Sequence, residues 1–232
     1  HPVFDSFNSK DYDSQSDYAD PRLFLTVGMP GFPYAFNKKY MMDESTTWSR
    51  SNGLYGYYVT LKQNVDPDGG YLIKGSWWGS PMNRIVLRYA DVLLMYAEVE
   101  NVLKDDGQAR WALNKVRERV DLDPVESSGT ELRDAIRQER RLELALENQR
   151  LFDIRRWKND SGKSVMSDIM GPNGSFVIYN TKESTDTYEL GNQKESSSKG
   201  RDFKEERDLV YPIPTTEISQ SNGSIVQNPG YN

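Results

Sequence analysis

The sequence predicts a mainly α-helical fold with a loop-rich, short-stranded segment ahead of the helices, and three observations carry that expectation. Between Arg84 and Lys104 the apolar positions Ile85, Tyr89, Val92, Leu93, Tyr96, Val99 and Leu103 recur three and four residues apart, the repeat of an amphipathic helix. Further stretches with the same repeat follow almost at once, separated by short polar breaks. Ahead of them, Pro and Gly turns cut the chain into pieces too short for helices.

Residues 1–20 are polar, carry Asp5, Asp11, Asp13, Asp17 and Asp20 without helical period, and read as loop. From Asp20 to about Met82, turns are expected at Asp20-Pro21, Met29-Pro30-Gly31, Asn52-Gly53 and Asp66-Pro67-Asp68-Gly69-Gly70. Short strands are expected between them, at 23–27 and 57–61. The first long helix is broken by Asp105-Asp106-Gly107, and a second, over 108–120, presents Trp111, Leu113, Val116 and Val120 before Asp121 to Pro124 stop it. Those two form a helical hairpin. A third helix opens near Thr130, where Thr130-Glu131-Leu132-Arg133 approximates a capping box, and Ile136, Leu142, Leu144 and Leu146 carry it to about Glu147. A fourth follows in Leu151, Phe152, Ile154 and Trp157. The spans 92–120 and 130–158 are each of helix-turn-helix size, which suggests two stacked pairs resembling tetratricopeptide units. Tyr89, Tyr96, Trp111, Phe152 and Trp157 are expected in the core. Beyond Asn159 the Ser/Lys/Glu clusters from Lys182 to Arg207 read as a long surface excursion. Tyr211-Pro212-Ile213-Pro214 then forces an extended path, and Asn228-Pro229-Gly230-Tyr231 closes the chain. The parts are therefore a loop-rich, aromatic-rich segment at 1–82, a helical hairpin core at 83–160, and an excursion with an extended tail at 161–232, all in one domain.

Composition narrows the chemistry. The 232 residues carry 29 Lys and Arg against 35 Asp and Glu, a net charge of −6, and no basic block stands ready to neutralise phosphates, which argues against nucleic acid as a partner. Cysteine is absent and the one histidine is His1. Thiol nucleophiles, serine-histidine triads, zinc clusters and haem ligation are thereby excluded. No apolar run reaches the roughly 18 residues of a membrane span. The opening His1-Pro2-Val3-Phe4 reads as mid-protein sequence, so a fragment or a processed product is expected.

Catalysis without His or Cys would fall to carboxylates, Lys or Tyr. Asp43-Glu44 is an acidic pair among aromatics, and a glycosidase needs two carboxyls across a sugar, but adjacent residues seldom face one cleft. Asp66, Asp68 and Gly69 have the start of a calcium loop without a Glu at the twelfth position, and Asp11, Asp13 and Asp17 have a similarly weak spacing. Turns and solvated acids are the simpler reading, and no metal or other cofactor is expected. Arg84, Arg88 and Asp91 on the first helix, with Glu139, Arg140, Arg141, Glu143, Glu147, Arg150, Asp153, Arg155 and Arg156 further on, form a ladder of opposite charges that predicts ion pairs within and between helices. The aromatics from Tyr34 to Trp78 differ from those of the helices. They sit in loop-rich sequence among Asn, Asp, Arg and Ser, an arrangement suited to sugar rings, which stack on aromatic faces and hydrogen-bond at their edges. The candidate binding residues are Trp48, Tyr40, Asp43, Arg50, Trp77 and Trp78.

Four ordered segments resemble the SusD/RagB family: Asp20-Pro21-Arg22-Leu23; Arg84 to Asn101 with Ala112 to Arg119; Ile136 to Ala145 running through Arg150 to Trp157; and Tyr211-Pro-Ile-Pro214 with Gln227-Asn-Pro-Gly-Tyr231. The resemblance implies a SusD-like helical fold and a cell-surface, outer-membrane lipoprotein that binds glycans or other nutrients. It also implies a TonB-dependent SusC-like transporter as partner in polysaccharide uptake, and a binding protein rather than an enzyme. The chain resembles the C-terminal half of a member, so the lipid anchor would lie outside it. The family's ligand loops have no motif to match, so the six candidates rest on composition and placement. Two other readings stay open at this point: a scaffold that docks on the transporter without contacting ligand, and a carboxylate enzyme using Asp43 and Glu44.

Overall fold

The structure is a computed structural model that describes residues 20–28, 59–62, 83–170, 175–179, 188–192 and 203–231. It divides into two compact units, His1–Arg150 and Leu151–Asn232.

The first unit is a helical hairpin capped by a third helix. Helix α1 (Leu23–Thr26) leads into strand β1 (Val27–Gly28), which pairs antiparallel with β2 (Val59–Thr60) in the register Val27↔Thr60 and Gly28↔Val59. The segment expected as a strand at 23–27 is thus one helical turn ending in a two-residue strand. Asp20 sets that turn, because its Oδ1 accepts the Arg22 N–H at 3.0 Å, the local bond that lets Asp initiate turns.

Helices α2 (Tyr89–Leu103), α3 (Asp106–Glu118) and α4 (Gly129–Glu143) supply the core. Leu93, Leu94 and Ala97 of α2, Ala109, Ala112, Leu113 and Val116 of α3, and Leu132 and Ile136 of α4 form one buried cluster with Leu144. Alanines at the α2–α3 contact let the two backbones approach closely, and leucines fill the space towards α4, the large-and-small alternation that gives dense packing. Helix α2 starts later than its apolar repeat implies: Arg88 is its extended N-cap, and Ile85, Val86 and Leu87 are exposed. Left-handed Lys104 ends it, and the Asp105 carboxylate accepts the Gln108 N–H to start α3.

The capping box expected near Thr130 does not form. Helix α4 begins at Gly129 after Ser128, whose side chain makes no capping bond, and the free Gly129 N–H donates to Asp106 Oδ2 at 2.8 Å. Asn101, nearly buried, donates to both Asp106 Oδ1 and the Gly129 carbonyl at 3.0 Å. One amide thereby ties the end of α2 to the starts of α3 and α4, and the Asp106 carboxylate satisfies the Gly129 N–H, one of the donors that a helix start leaves without an intrahelical partner.

In the second unit, α5 (Arg150–Arg156) leads into Trp157, which is buried with Ile154 and Met166. Helix α6 (Val165–Met170), the antiparallel hairpin β3 (Ser175–Tyr179) with β4 (Tyr188–Asn192), and the short helices α7 (Glu205–Asp208) and α8 (Thr215–Gln220) follow. The closing segments fit together through side chains of the last residues. Gln227 accepts the Ile213 N–H at 2.8 Å and donates to its carbonyl at 2.9 Å, replacing the strand that the flanking prolines forbid. Asn228 donates to the Tyr211 carbonyl and Tyr231 to that of Val210. Gly230 stands at φ +82° where a Cβ would lie 2.9 Å from the Arg207 side chain. Arg155 donates to the Leu209 carbonyl and lays its guanidinium over the Tyr211 ring.

Four of the aromatics expected in the core lie elsewhere: Tyr89, Tyr96, Trp111 and Phe152 are exposed, and only Trp157 is buried. For Tyr89 and Tyr96 the physical reason is that α2 has two apolar stripes, each at helical spacing. The one that packs is Ala90, Leu93, Leu94 and Ala97; the other, Tyr89, Val92, Tyr96, Val99 and Leu103, faces outward.

Candidate functional site

The six residues chosen from sequence, Tyr40, Asp43, Trp48, Arg50, Trp77 and Trp78, lie outside the described residues, as do Asp43-Glu44 taken as a pair and the loops around Asp11 and Asp66. The structure does describe both ends of the stretch that carries Tyr40 to Arg50. The β1–β2 pair joins those ends, and the Leu61 N–H donates to the Thr26 carbonyl at 3.0 Å to extend the closure. Leu23 and Leu61 are fully buried beneath it.

Each end also carries a cation that reaches α4 and the turn after it. Arg22 is enclosed on its own side by Asp20, at 2.9 and 2.6 Å, and across the fold by Glu139 and by Glu143 at 2.8 Å. Lys62 meets Glu147 and donates to the Glu143 carbonyl, both at 2.6 Å. Arg88, at the start of α2, spans Glu143 and Glu147 with bonds of 2.6 to 2.9 Å. Arg117 and Arg119 at the end of α3 complete the cluster through Glu139 and Glu143. Beside it, Arg140 pairs with Asp91 of α2 at 2.9 Å, both buried. Of the ladder expected from the sequence, Arg88, Asp91, Glu139, Arg140, Glu143 and Glu147 form cross-element pairs, while Arg156 pairs with Asp153 within α5 at 2.9 Å. Glu139 and Glu143 are four apart on one face of α4, and Glu147 continues that line past the helix end.

The surroundings of Glu143 and Glu147 favour their charged forms. Burial works against ionisation of Glu143, but the guanidinium groups of Arg22 and Arg88 outweigh it and hold its carboxyl below the usual range. Glu147 is held low in the same way by Arg88 and Lys62. Burial likewise disfavours charge on Arg22, yet Asp20, Glu139 and Glu143 more than compensate and its proton is held more tightly than in a free guanidinium. Lys62 differs: burial dominates and lowers its affinity for a proton, because it faces one carboxylate with Arg88 close by. The pair favours the charge on Glu147 more than it favours the charge on Lys62. Carboxylates committed in this way hold structure; they neither donate nor accept protons near neutrality.

Of these residues, the Asp-Pro-Arg segment and the α4 acids were visible in sequence. Lys62 carried no signal, and Arg117 and Arg119 stood only within the segment Ala112 to Arg119 that carries the family resemblance. Away from the cluster, an open groove of about 610 Å³ runs beside α2 and α3, lined among others by Arg88, Tyr89, Leu93, Trp111 and Lys115. A second, of about 550 Å³, lies on the other flank of Trp111, against Leu122 and Pro124. Among the described residues no helix is long and apolar enough to cross a membrane, and no group of three or more His, Cys, Asp or Glu is placed to hold a metal ion.

Comparison with known proteins gives a consistent result. A family model described as the SusD family matches residues 4–231. The chain is 32% identical over 162 residues to SusD-like protein P2 of Formosa agariphila, a match covering 66% of this chain and 26% of that protein. It is also 32% identical over 131 residues to a SusD-like protein of Bacteroides ovatus, covering 46% of this chain and 22% of that one. Among solved structures, a SusD-like protein of Bacteroides fragilis superposes with a TM-score of 0.72 at 25% identity, over 99% of this chain and 46% of its own. The chain thus spans less than half the length of the relatives it matches.

Proposed function

This chain belongs to the SusD family, and on that footing we propose that it acts as a glycan- or nutrient-binding subunit in polysaccharide uptake at the cell surface. The observation that carries the reading is the family match over residues 4–231. Its proposed partners are an oligosaccharide ligand and a TonB-dependent SusC-like transporter, and its proposed place is the outer membrane, held by a lipid anchor outside this chain. Binding is non-covalent: rings in the aromatic stretch stack on sugar faces, with Tyr40, Trp48, Trp77 and Trp78 as platforms and Asp43 and Arg50 as edge partners. Each stacked ring contributes about 1 kcal/mol, so useful affinity needs several contacts.

The charge cluster supports this reading. A loop that binds through a few weak contacts gains affinity when its ends are fixed beforehand, because less conformational entropy is lost on binding. Arg22 and Lys62 fix those ends on the line of acids that Glu139, Glu143 and Glu147 form. The test is calorimetric titration of saccharides into the chain and into Trp48→Ala. Affinity should fall about fivefold, the equivalent of one lost ring contact, with the helical circular-dichroism signal unchanged. Equal affinity would remove Trp48 from the site.

A further inference from the structure

The two sides of the β1–β2 closure are held differently. On the β1 side the Arg22 side chain is 7% exposed and pairs with Asp20, Glu139 and Glu143. The Thr26 hydroxyl donates back to the Arg22 carbonyl at 2.7 Å, so β1 is tied to that arginine twice over. On the β2 side the pairing is two residues long, Leu61 supplies the buried side chain, and the charge is carried by Lys62, 24% exposed.

Lys62 shares what it touches. Its Nζ meets Glu147 Oε1 and the Glu143 carbonyl oxygen, both at 2.6 Å, and Nη2 of Arg88 donates to the same two atoms at 2.9 and 2.7 Å. Arg88 has bonds besides, from Nε to Glu147 Oε2 and from Nη1 to Glu143 Oε1. Among the described residues Lys62 has no acceptor that Arg88 does not also reach. Two cations on one pair of oxygens repel each other, and the one with fewer bonds yields. Its departure leaves neither Glu147 nor the Glu143 carbonyl unpaired, so the penalty for an orphaned buried group does not arise. The proton affinities run the same way. Burial and the nearby Arg88 loosen the proton of Lys62, whereas the carboxylates around Arg22 overcome its burial and tighten its own.

The seat of these cations is strained. Glu147 stands between Leu146 at φ +65° and Asn148 at φ +64°. Asn tolerates the left-handed region, but a leucine there is unfavourable, and such strain persists where the surroundings over-determine it. The Arg88 bonds supply that constraint, which keeps Glu147 on the line of Glu139 and Glu143. We propose that the closure is a clasp with one fixed and one releasable side: Arg22 keeps β1 on α4, while Lys62 lets β2 leave a seat that Arg88 continues to fill. The clasp goes beyond the glycan-binding reading and does not depend on it.

The test is native-state hydrogen exchange of the 232-residue chain, read at two amides. The Arg22 N–H donates to Asp20 Oδ1 and the Leu61 N–H to the Thr26 carbonyl, both at 3.0 Å, so each reports one side. After correction for intrinsic rates, the Leu61 amide should open at least about tenfold more often than the Arg22 amide, through a local opening that depends little on denaturant. Glu147→Gln, which leaves two cations on a neutral amide, should speed exchange at Leu61 by about a further tenfold and leave the Arg22 amide unchanged. Equal opening at the two amides of the parent chain would show that the closure opens as a unit and overturn the proposal. So would a Glu147→Gln variant that shifts both amides alike or shifts neither. Should that variant fail to fold, the comparison within the parent chain decides alone. No saccharide takes part, so none of these results bears on the glycan-binding proposal.

Discussion

Nη1 of Arg22 donates to Oε2 of Glu143 across 2.8 Å, joining residues 121 positions apart. Both side chains are almost fully buried, and each is held by further partners, Arg22 by Asp20 and Glu139, and Glu143 by Arg88 and Arg119, so the network replaces the solvation they have lost. Removing one partner of such a pair leaves an uncompensated buried charge, and the cost is about 3–5 kcal/mol. In Glu143→Ala, Arg22 keeps Asp20 and Glu139 and Arg88 keeps Glu147, so the variant should destabilise the chain at the lower end of that range, about 3 kcal/mol, read as a lowered urea midpoint. A loss under about 1 kcal/mol would show that solvent reaches the cluster.

Arg119 provides the contrast on the same carboxylate. It bonds both oxygens of Glu143 at 2.9 Å, yet its side chain is 57% exposed. Exposed ion pairs contribute about 0–1 kcal/mol, so Arg119→Ala should cost no more than that in the same denaturation experiment. A larger loss would mean that number of bonds, and not burial, sets the worth of each partner.

The cluster also fixes the acid limb of stability. Glu143 and Glu147 bind protons less readily when folded than when unfolded, where a Glu titrates near 4.3. The unfolded state therefore binds more protons through this range, and stability falls as pH falls. Their contribution is complete above about pH 5 and is lost as pH drops through their lowered folded values. Melting temperature should be flat from neutrality to about pH 5 and then decline, with a shallower decline in Glu143→Gln. An identical slope in that variant would place the acid sensitivity elsewhere.

At the other end of the chain, Gly230 combines a left-handed backbone with a missing Cβ that would meet Arg207 at 2.9 Å. Gly230→Ala should cost about 1–3 kcal/mol through strain and displacement, and it should loosen the bonds from Gln227 and Asn228 to the Tyr211-Pro-Ile-Pro214 backbone. Hydrogen exchange at the Ile213 amide reports this directly, since that N–H donates to Gln227. Protection unchanged from the parent would contradict the account of this motif.

The sequence made the helices legible because apolar residues recur at helical spacing within each, as Val92, Tyr96 and Val99 do in α2 and Leu113 and Val116 in α3, and their existence needed no knowledge of neighbours. Which face of α2 packs was not legible: both stripes obey the same period, and the aromatic one, being larger, looked like the core. The alanines that let α2 meet α3 decided otherwise, since close approach requires small residues. The ladder at Glu139, Glu143 and Glu147 was readable as charge pairing, but Lys62 was not, because its role depends on a strand pair formed by residues far from the helices. The candidate ring platforms rest on composition, which shows that aromatics are present and not where they point.

The central claim is that this chain binds a saccharide, and the most direct measurement is a thermal-shift series of the wild-type chain against plant, host and microbial oligosaccharides. One sugar class should raise the melting temperature in a concentration-dependent way, because a ligand that binds only the folded state stabilises it by mass action. No shift from any saccharide at millimolar concentration would contradict the glycan-binding reading and leave a chain whose surfaces serve other proteins.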